Sequence, residues 1–308
     1  MGYRMRYGRP NWDAVPQELE MIRKDRTRIH SKLIIHHLAW SPLYRKMLLD
    51  YCIPSLVDDV KKLIKEKVEV EWVVHFDDVA NIPKYEGVNI QFNGISSAGS
   101  FQDSINMCRK SQKEGAYIAL IAPDNIFGKG SLYNAFKLAQ YKDTSIAIAH
   151  PRVLAEDFMK KYPAGQTYKN KQLVKMAMDK KMMHPALQYA FDDLDDSFTN
   201  QGISIRRMGK GVYGVVHTLP SGVVFKFNKN DIDYLDGITW GEIDRGLSIK
   251  LFAEKRIKLV GCSDVCFFIE LTRPAYNFSH VYPGLKNNDR HMDERQNIFN
   301  NTIVIWKS

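Results

Sequence analysis

A short apolar run that stops at a proline and an aspartate is the feature that most constrains this chain. Residues 117–122 are apolar and of strand length, Pro123 and Asp124 follow, and a Gly-Lys-Gly break leads into a new periodic segment. This order predicts a buried strand that carries Asp124 at its C-terminal end. After the break, Ser131 is predicted to cap an amphipathic helix, and a second apolar strand over residues 145–150 follows.

Strand, helix and strand in this order form a βαβ unit, whose right-handed crossover makes the two strands parallel. The second strand ends at Pro151 and Arg152. Ligands of open parallel sheets bind at the carboxyl ends of the strands, so Asp124 and Arg152 are predicted to share that edge. An arginine and an acid beside glycines suit a phosphate-bearing ligand, because arginine binds phosphate and the acid can hold a divalent cation. The alternative, that Asp124 only stabilises a turn, stays open.

The rest of the first half repeats the alternation of strands and helices. Strands are predicted over residues 32–38 and 70–76, and the helical segment between them is predicted to be interrupted by Pro54. The second strand ends at Asp77 and Asp78, and at most one of these acids is expected to face a ligand, because adjacent side chains of an extended segment point in opposite directions. This pattern predicts an α/β fold with a central, mostly parallel sheet flanked by helices.

The first half also contains a predicted glycine- and serine-rich loop over residues 93–100 and a predicted helix over residues 101–113. The second half is less regular. Past residue 163, a basic helix over residues 169–183 is followed by short β-like runs over residues 211–217 and 223–227. We therefore expect a smaller, mixed α+β C-terminal half.

Composition indicates a soluble globular protein. No apolar run reaches membrane-spanning length and the first ten residues lack the apolar core of a secretion signal, so we expect a cytoplasmic protein without a membrane span. The net charge of +9 favours a polyanionic partner, although a solvated lysine-rich face is the alternative for each basic cluster. Four scattered cysteines do not form a zinc-site pattern and are predicted to be buried thiols: Cys52, Cys108, Cys262 and Cys266.

One motif points to a different class of enzyme. Residues 208–216 fit the glycine-rich loop of protein kinases, and Lys226 follows at a plausible distance. A kinase also needs a catalytic-loop aspartate and a magnesium-binding Asp-Phe-Gly motif, and neither follows Lys226. The pattern therefore predicts a glycine-rich hairpin and a lysine with a buried stem.

The order of several short motifs resembles that of bacterial and phage glycosyltransferases with the GT-A type of nucleotide-sugar-binding fold, a Rossmann-like sheet. The resemblance covers about residues 30–275 and rests on the collinear order of pieces that are individually short. The pieces are residues 38–40 with Tyr44, residues 51–56, the Ala-Pro-Asp of residues 122–124 with residues 130–132, residues 148–152, residues 184–185, His217, residues 231–234, residues 263–264 and residues 267–271.

The resemblance implies transfer of a sugar from a nucleoside diphosphate donor, which would be a co-substrate. Trp40 and Tyr44 would lie near the donor base, with Asp77 and Asn125 also on the donor side. Arg152 would face the diphosphate or the acceptor.

In the same resemblance, Asp124 takes the place of the metal- or sugar-contacting acid, and His217, Asp231, Asp233 and Asp264 close the site from the second half. An inverting transferase needs a carboxylate to deprotonate the acceptor, and Asp124, Asp233 and Asp264 are the candidates. Asp124 and His217 are candidate ligands of Mg²⁺ or Mn²⁺. The usual Asp-x-Asp metal motif is absent, and an amide or a basic side chain can neutralise the diphosphate instead. A turn or capping role is the alternative for Asp233 and Asp264.

The basic balance favours DNA as the acceptor, because lysine and arginine neutralise phosphates. The chain is similar in style to T-even-like phage proteins that decorate hydroxymethylcytosine in DNA with glucose or arabinose. The expected reaction is transfer from UDP-arabinose or UDP-glucose to 5-hydroxymethylcytosine in double-stranded phage DNA, in the host cytoplasm, with the base swung out of the duplex. A surface polysaccharide or a protein as the acceptor, and non-catalytic binding of nucleic acid, remain alternatives.

The expected organisation follows from these assignments. Residues 1–30 would form a basic arm and a helix, and residues 31–162 the nucleotide-sugar-binding half. Residues 163–308 would form the acceptor-binding and site-closing half of the same domain.

Overall fold

The computed structural model describes residues 14–24, 31–78, 82–95, 101–179, 181–183, 203–217, 220–235, 247–273 and 304–308. The basic arm over residues 1–13, most of the predicted loop over residues 93–100, and residues 184–202 with their His-Pro step lie outside the described residues.

Strands form the centre of the described part of the chain. In chain order they are β1 (Lys32–Ala39), β2 (Glu69–Phe76), β3 (Ile90–Gly94), β4 (Tyr117–Leu120), β5 (Asn125–Phe127), β6 (Ser145–Ile148), β7 (Arg152–Leu154), β8 (Ile203–Gly209), β9 (Val212–His217), β10 (Ser221–Phe225), β11 (Ile257–Leu259), β12 (Phe268–Thr272) and β13 (Val304–Lys307).

Helices join most of these strands. In chain order they are α1 (Ala14–Lys24), α2 (Pro42–Met47), the π-helical turn Leu48–Cys52, α3 (Ile53–Lys65), α4 (Gln102–Lys113), α5 (Ser131–Lys142), α6 (Ala155–Lys161), α7 (Asn170–Ala177), α8 (Lys229–Leu235) and α9 (Leu247–Ala253). None of the helices in the described ranges is long and apolar enough to cross a membrane.

The main sheet has the strand order β11-β6-β10-β4-β1-β2-β3 within the described residues. Its neighbours are parallel except for β10, which runs antiparallel to both β4 and β6. The predicted α/β fold with a mostly parallel sheet is therefore confirmed, and β4 and β6 run in the same direction as expected. They are not adjacent, because β10 from the second half lies between them.

The sheet is covered on both faces, which is why its strands are apolar throughout rather than alternating. On β1, Leu33 and Ile35 pack with α3 and α5, whereas Ile34 points to the other face and packs with α4. Two smaller sheets, with the strand orders β5-β12-β7 and β13-β9-β8, complete the described part. Since β10, β11 and β12 all pair with first-half strands, the two halves of the chain form one interleaved body.

Pro54 does not interrupt the helical segment, contrary to the prediction. It lies in the first turn of α3, where a missing N–H costs no intrahelical hydrogen bond. The π-helical turn precedes it, and the carbonyl of Asp50 instead accepts the N–H of Gly165 at 2.7 Å. The Asp50 carbonyl, which would accept an N–H from residue 54 in a regular α-helix, is thus satisfied by a residue more than a hundred positions away.

Helix α5 begins as predicted, but Ser131 is not its cap. Gly130 precedes the helix in the left-handed region with φ +88°, and Asp59 of α3 accepts the N–H groups of Gly130 at 2.8 Å and Tyr133 at 3.1 Å. The Ser131 hydroxyl instead donates to the side-chain oxygen of Asn170 at 2.8 Å and accepts the N–H of Phe267 at 2.9 Å. The helix start is therefore held by three distant segments.

We expect Asp59→Ala to destabilise the fold by about 2–4 kcal/mol, because two buried N–H groups at the start of α5 would lose a charged acceptor. Burial raises the pKa of Asp59 to about 6, against the opposing backbone N–H groups. Between about pH 4 and pH 6 the folded state therefore holds a proton that the unfolded chain has released. The stabilisation that comes from this bound proton, as distinct from the hydrogen bonds to the carboxylate, is lost as pH rises from about 4 to about 6.

Denaturant unfolding of the purified variants checks this prediction. Asp58→Ala is the matched control, since Asp58 is half exposed and pairs with Lys129 at 3.3 Å on the surface. Equal stability of the two variants would contradict the capping role of Asp59.

Other predictions differ at the ends of elements. Asn93 and Gly94 belong to strand β3, rather than to a loop, because they pair with β2. The predicted helix over residues 169–183 is confined to α7. All four cysteines are buried free thiols, as predicted.

Candidate functional site

Asp124 lies at a tight turn between two sheets. The N–H of Asn125 donates to the carbonyl of Ala122 at 3.2 Å, so Pro123 and Asp124 are the central residues of a β-turn. The turn joins the C-terminal end of β4 in the main sheet to β5 in a small sheet. The Asp124 carbonyl accepts the N–H of Leu271 at 2.9 Å, which fixes the turn against β12.

Glu270 is the centre of the small sheet. Its backbone lies between Asn125 of β5 and Arg152 of β7 in register. Its carboxylate contacts Arg152 Nε at 2.8 Å through Oε1 and His150 Nε2 at 3.0 Å through Oε2. We call Asp124, Asn125, His150, Arg152 and Glu270 the strand-end cluster. It forms where β4 and β6 end, so Asp124 and Arg152 are brought to one edge, as predicted.

The electrostatics of the strand-end cluster keep Glu270 ionised. Burial alone would raise the pKa of Glu270, but the Arg152 guanidinium and the His150 imidazole hold it well below its ordinary range. His150 is also fixed by stacking on Phe268, with ring centroids 4.4 Å apart. A carboxylate that binds protons so weakly is a poor general base.

The side of the turn away from β12 contacts the π-helical turn. Cys52 ends this turn, and its Sγ lies 3.7 Å from the Ala122 carbonyl. Burial and the nearby Asp124 raise the pKa of the Cys52 thiol well above its ordinary value. Cys52 is therefore a neutral packing group beside the acid and not a nucleophile.

Aromatic side chains occupy the same edge at the end of β1. The ring centroids of Trp40 and Tyr44 are 5.5 Å apart, and Phe101 meets Trp40 edge-on at 6.5 Å. Since β1 lies next to β4, Trp40 and Asp124 are on neighbouring strand ends. We call Trp40, Tyr44 and Phe101 the aromatic edge.

Asp77 and Asp78 both hold the chain that follows β1. Asp77 accepts the N–H of Ser41 at 2.7 Å, and Asp78 pairs with Arg45 at 2.5 Å. A cavity of about 350 Å³ opens beside them at the end of β2. Ser41 has φ +82°, a left-handed conformation that is strained for serine, and the bond to Asp77 helps to hold it.

A buried histidine pair lies beneath this edge and was not predicted. His36 Nε2 is 3.0 Å from His75 Nδ1, and His75 Nε2 is 4.0 Å from Asp103. Burial lowers the pKa of both histidines, so both rings are neutral at neutral pH. Because the residues come from β1, β2 and α4, only the sheet pairing brings them together.

Asp231 and Asp233 lie at the opposite edge of the sheet from Asp124. Helix α8 follows β10, whose antiparallel direction returns the chain to the edge where the parallel strands begin. Asp231 is fully buried there, between Arg256 at 2.6 Å and Lys250 at 2.9 Å, and Asp233 is exposed on the same helix. The structure therefore does not bring these two acids to the strand-end cluster.

His217 lies in a different sheet from Asp124, and Asp264 lies before the opposite end of β12. His217 is the last residue of β9, in the sheet formed with β8 and β13. Asp264 pairs with Lys307 at 2.7 Å and precedes β12, whereas Asp124 is bonded near the other end of that strand. Within the described ranges, no group of three or more His, Cys, Asp or Glu side chains is arranged to hold a metal ion.

The glycine-rich segment forms the predicted hairpin, β8 and β9, with its turn at Lys210 and Gly211. Lys226 follows β10 in the main sheet, and its amine bonds the Gly115 carbonyl and lies 4.6 Å from the Tyr117 ring centre. The hairpin and the lysine thus belong to different sheets, which does not fit a kinase nucleotide site.

Glu270 and His150 were missed as functional residues although both lie in segments that carry the resemblance. A signal was present, since Glu270 is the single charged residue within the apolar strand β12. A charge at a buried strand position needs a partner.

Compared with known proteins, the chain matches no family model and no curated protein sequence.

Proposed function

We propose that this protein is a glycosyltransferase that uses a nucleoside diphosphate sugar. The observation that carries the proposal is the strand-end cluster at the carboxyl ends of parallel strands. There Asn125 and Arg152 lie on either side of Glu270, and Asp124 precedes Asn125 and bonds the backbone of Leu271. Open α/β sheets bind their ligands at this edge. One acid and one arginine there can serve the acceptor hydroxyl and the leaving diphosphate of a single reaction.

The aromatic edge supports a donor with a base. Trp40 and Tyr44 are half-buried and form a tilted ring pair at the strand end next to that of Asp124. A nucleobase that stacks there would place its diphosphate toward the strand-end cluster.

The proposed roles differ between the two carboxylates of the cluster. Asp124 is the general base that removes the proton from the acceptor hydroxyl. Arg152 neutralises the diphosphate as it leaves. Glu270 and His150 are positioning residues, because the Glu270 carboxylate stays ionised and is engaged by both Arg152 and His150.

The described residues of the strand-end cluster do not fit a resident divalent cation. Mg²⁺ prefers several oxygen ligands, but Asp124 is followed by Asn125 and Ile126, and the Glu270 carboxylate is occupied by Arg152 and His150. No step is therefore assigned to a metal, and Arg152 supplies the positive charge.

For the acceptor we propose DNA that contains 5-hydroxymethylcytosine. The support is the net charge of +9, which favours a polyanion over a neutral saccharide. Its hydroxymethyl group would have to leave the base stack to reach Asp124.

The proposal is tested by incubating the purified protein with labelled UDP-sugars and hydroxymethylated DNA, followed by mass measurement of the nucleosides. Glycosylated hydroxymethylcytosine is the expected product. Transfer to saccharide or protein acceptors alone would reject the DNA acceptor and keep the transferase. Salt-sensitive DNA binding without transfer or hydrolysis of any donor would reject the transferase and leave a binding protein.

A further inference from the structure

Helix α7 has two faces with opposite character. Leu173, Val174 and Ala177 are buried and pack toward β12 and β13. Lys171 and Lys175 are exposed, lie one helical turn apart and point away from this core. The helix therefore separates the strand that carries Glu270 from a basic surface on its other side.

The sheet formed by β13, β9 and β8 faces this surface. Trp306, Tyr213 and Arg207 are register partners on three successive strands, so their side chains leave the sheet on one face. Trp306 is fully buried, Tyr213 is half-buried and Arg207 is exposed. Residues of α7, β8 and β9 together line a groove beside these side chains.

The groove has a volume of about 1010 Å³, and its charge is strongly positive. Among the described residues that line it, five are cations and the single acid, Asp179, is paired with Lys161 at 3.1 Å. Tyr162 and Tyr213 also line it. We define the basic groove by its cations, which are Lys161, Lys171, Lys175, Arg207 and Lys210.

We propose that the basic groove binds one strand of nucleic acid through its phosphates and directs a nucleotide of that strand toward the strand-end cluster. Several cations in one groove suit a repeating anion, and bases stack on aromatic rings such as those of Tyr162 and Tyr213, which are half-buried in the groove wall. An acidic peptide would use the cations but not the rings, so nucleic acid is the better fit. The identification of the strand as DNA rests on the proposed function.

The groove is one helix away from the proposed chemistry. The chain just before α7 is tied to the segment after β5, since Lys129 N–H donates to the Tyr168 carbonyl at 2.7 Å. Gly128 lies so close to Asn170, the first residue of α7, that a Cβ added at Gly128 would be 1.8 Å from the side-chain oxygen of Asn170. A helix with its side chains is roughly 10 Å wide, so a nucleotide of a strand bound in the groove would have to swing out past α7 to approach β12.

The test uses Lys175→Glu combined with Arg207→Glu in the full chain. Binding of a fluorescent duplex and of a single strand, both containing hydroxymethylcytosine, is measured without donor between about 50 and 200 mM salt. The matched control is Lys65→Glu combined with Lys113→Glu, which makes the same change of charge at exposed positions on α3 and α4. Thermal unfolding verifies that the variants fold, and Lys171→Gln with Lys175→Gln replaces the groove variant if it does not.

We expect the groove variant to bind DNA at least about tenfold more weakly, with a salt slope lower by about 2, and the control to change less than about twofold. Equal weakening of both variants, or unchanged binding by the groove variant, would overturn the proposal. If polyglutamate but not unlabelled DNA displaced the fluorescent probe from the protein, the proposal would be overturned in favour of an acidic protein as the partner of the groove. Because donor is absent, groove-dependent binding stands even if sugar transfer fails, and transfer without groove-dependent binding rejects only the groove.

Discussion

Asp124→Asn is expected to lower the turnover of sugar transfer by roughly 10²- to 10⁴-fold, the usual contribution of a general base. The amide keeps the shape of the side chain and the backbone bond from Leu271, but it cannot take a proton from the acceptor hydroxyl. Initial rates with a labelled donor at saturating acceptor measure the change. DNA affinity should stay within about twofold of the unsubstituted protein, because the basic groove is one helix away.

Asp58→Asn is the matched control for this experiment. It makes the same isosteric change at an exposed carboxylate on α3, where the expected effect on turnover is within about twofold. If Asp124→Asn and Asp58→Asn show the same turnover while the unsubstituted protein is active, Asp124 is not the base and the proposed mechanism is wrong.

Asp231→Ala is expected to destabilise the protein by about 3–5 kcal/mol, because it removes several charge-assisted hydrogen bonds to a fully buried carboxylate. Asp231 accepts hydrogen bonds from Arg256 through both oxygens, from Lys250, and from the N–H of Asn228 at 2.8 Å. Denaturant unfolding gives the free energy of unfolding. Asp233→Ala, two residues away on the exposed face of α8, should change it by no more than about 0.5 kcal/mol.

The pH dependence gives a second readout for Asp231. Burial opposes ionisation, but Arg256 and its other partners lower the pKa of the carboxyl. A lowered folded pKa means that the stabilisation is present above the unfolded value of about 4 and is lost as pH falls through the folded pKa. The difference between Asp231→Ala and the unsubstituted protein should therefore shrink below about pH 4. A variant that unfolds normally but loses activity would instead support the site-closing role that the resemblance implies for Asp231.

Several features of the strand-end cluster follow from local pattern. The apolar run before Pro123 and Asp124, and the second run that ends near Arg152, each predict a strand and the residue at its end. Parallel direction follows from the intervening helix α5. These are short-range properties, so Asp124 and Arg152 could be assigned to one edge without the structure.

The assignment of the second-half acids shows where local pattern ends. Asp231 and Asp233 lie in a segment whose position depends on the direction of β10. A short strand such as β10 does not reveal from its sequence whether it pairs parallel or antiparallel with its neighbours. Antiparallel pairing with β4 and β6 sends α8 to the far edge of the sheet. The partners of Asp231 are equally non-local, since Arg256 lies 25 positions later.

The sequence by itself determined the alternation of strands and helices, the mostly parallel sheet, and the edge that carries Asp124 and Arg152. Periodicity and strand-end residues encode these, because they depend on neighbours in the chain. Only the tertiary structure decided that β10 enters the sheet, that Asp59 caps α5, and that Glu270 joins Arg152 to His150. Such contacts arise from pairing between strands and helices far apart in sequence, and the free energy that selects one pairing is spread over the whole core.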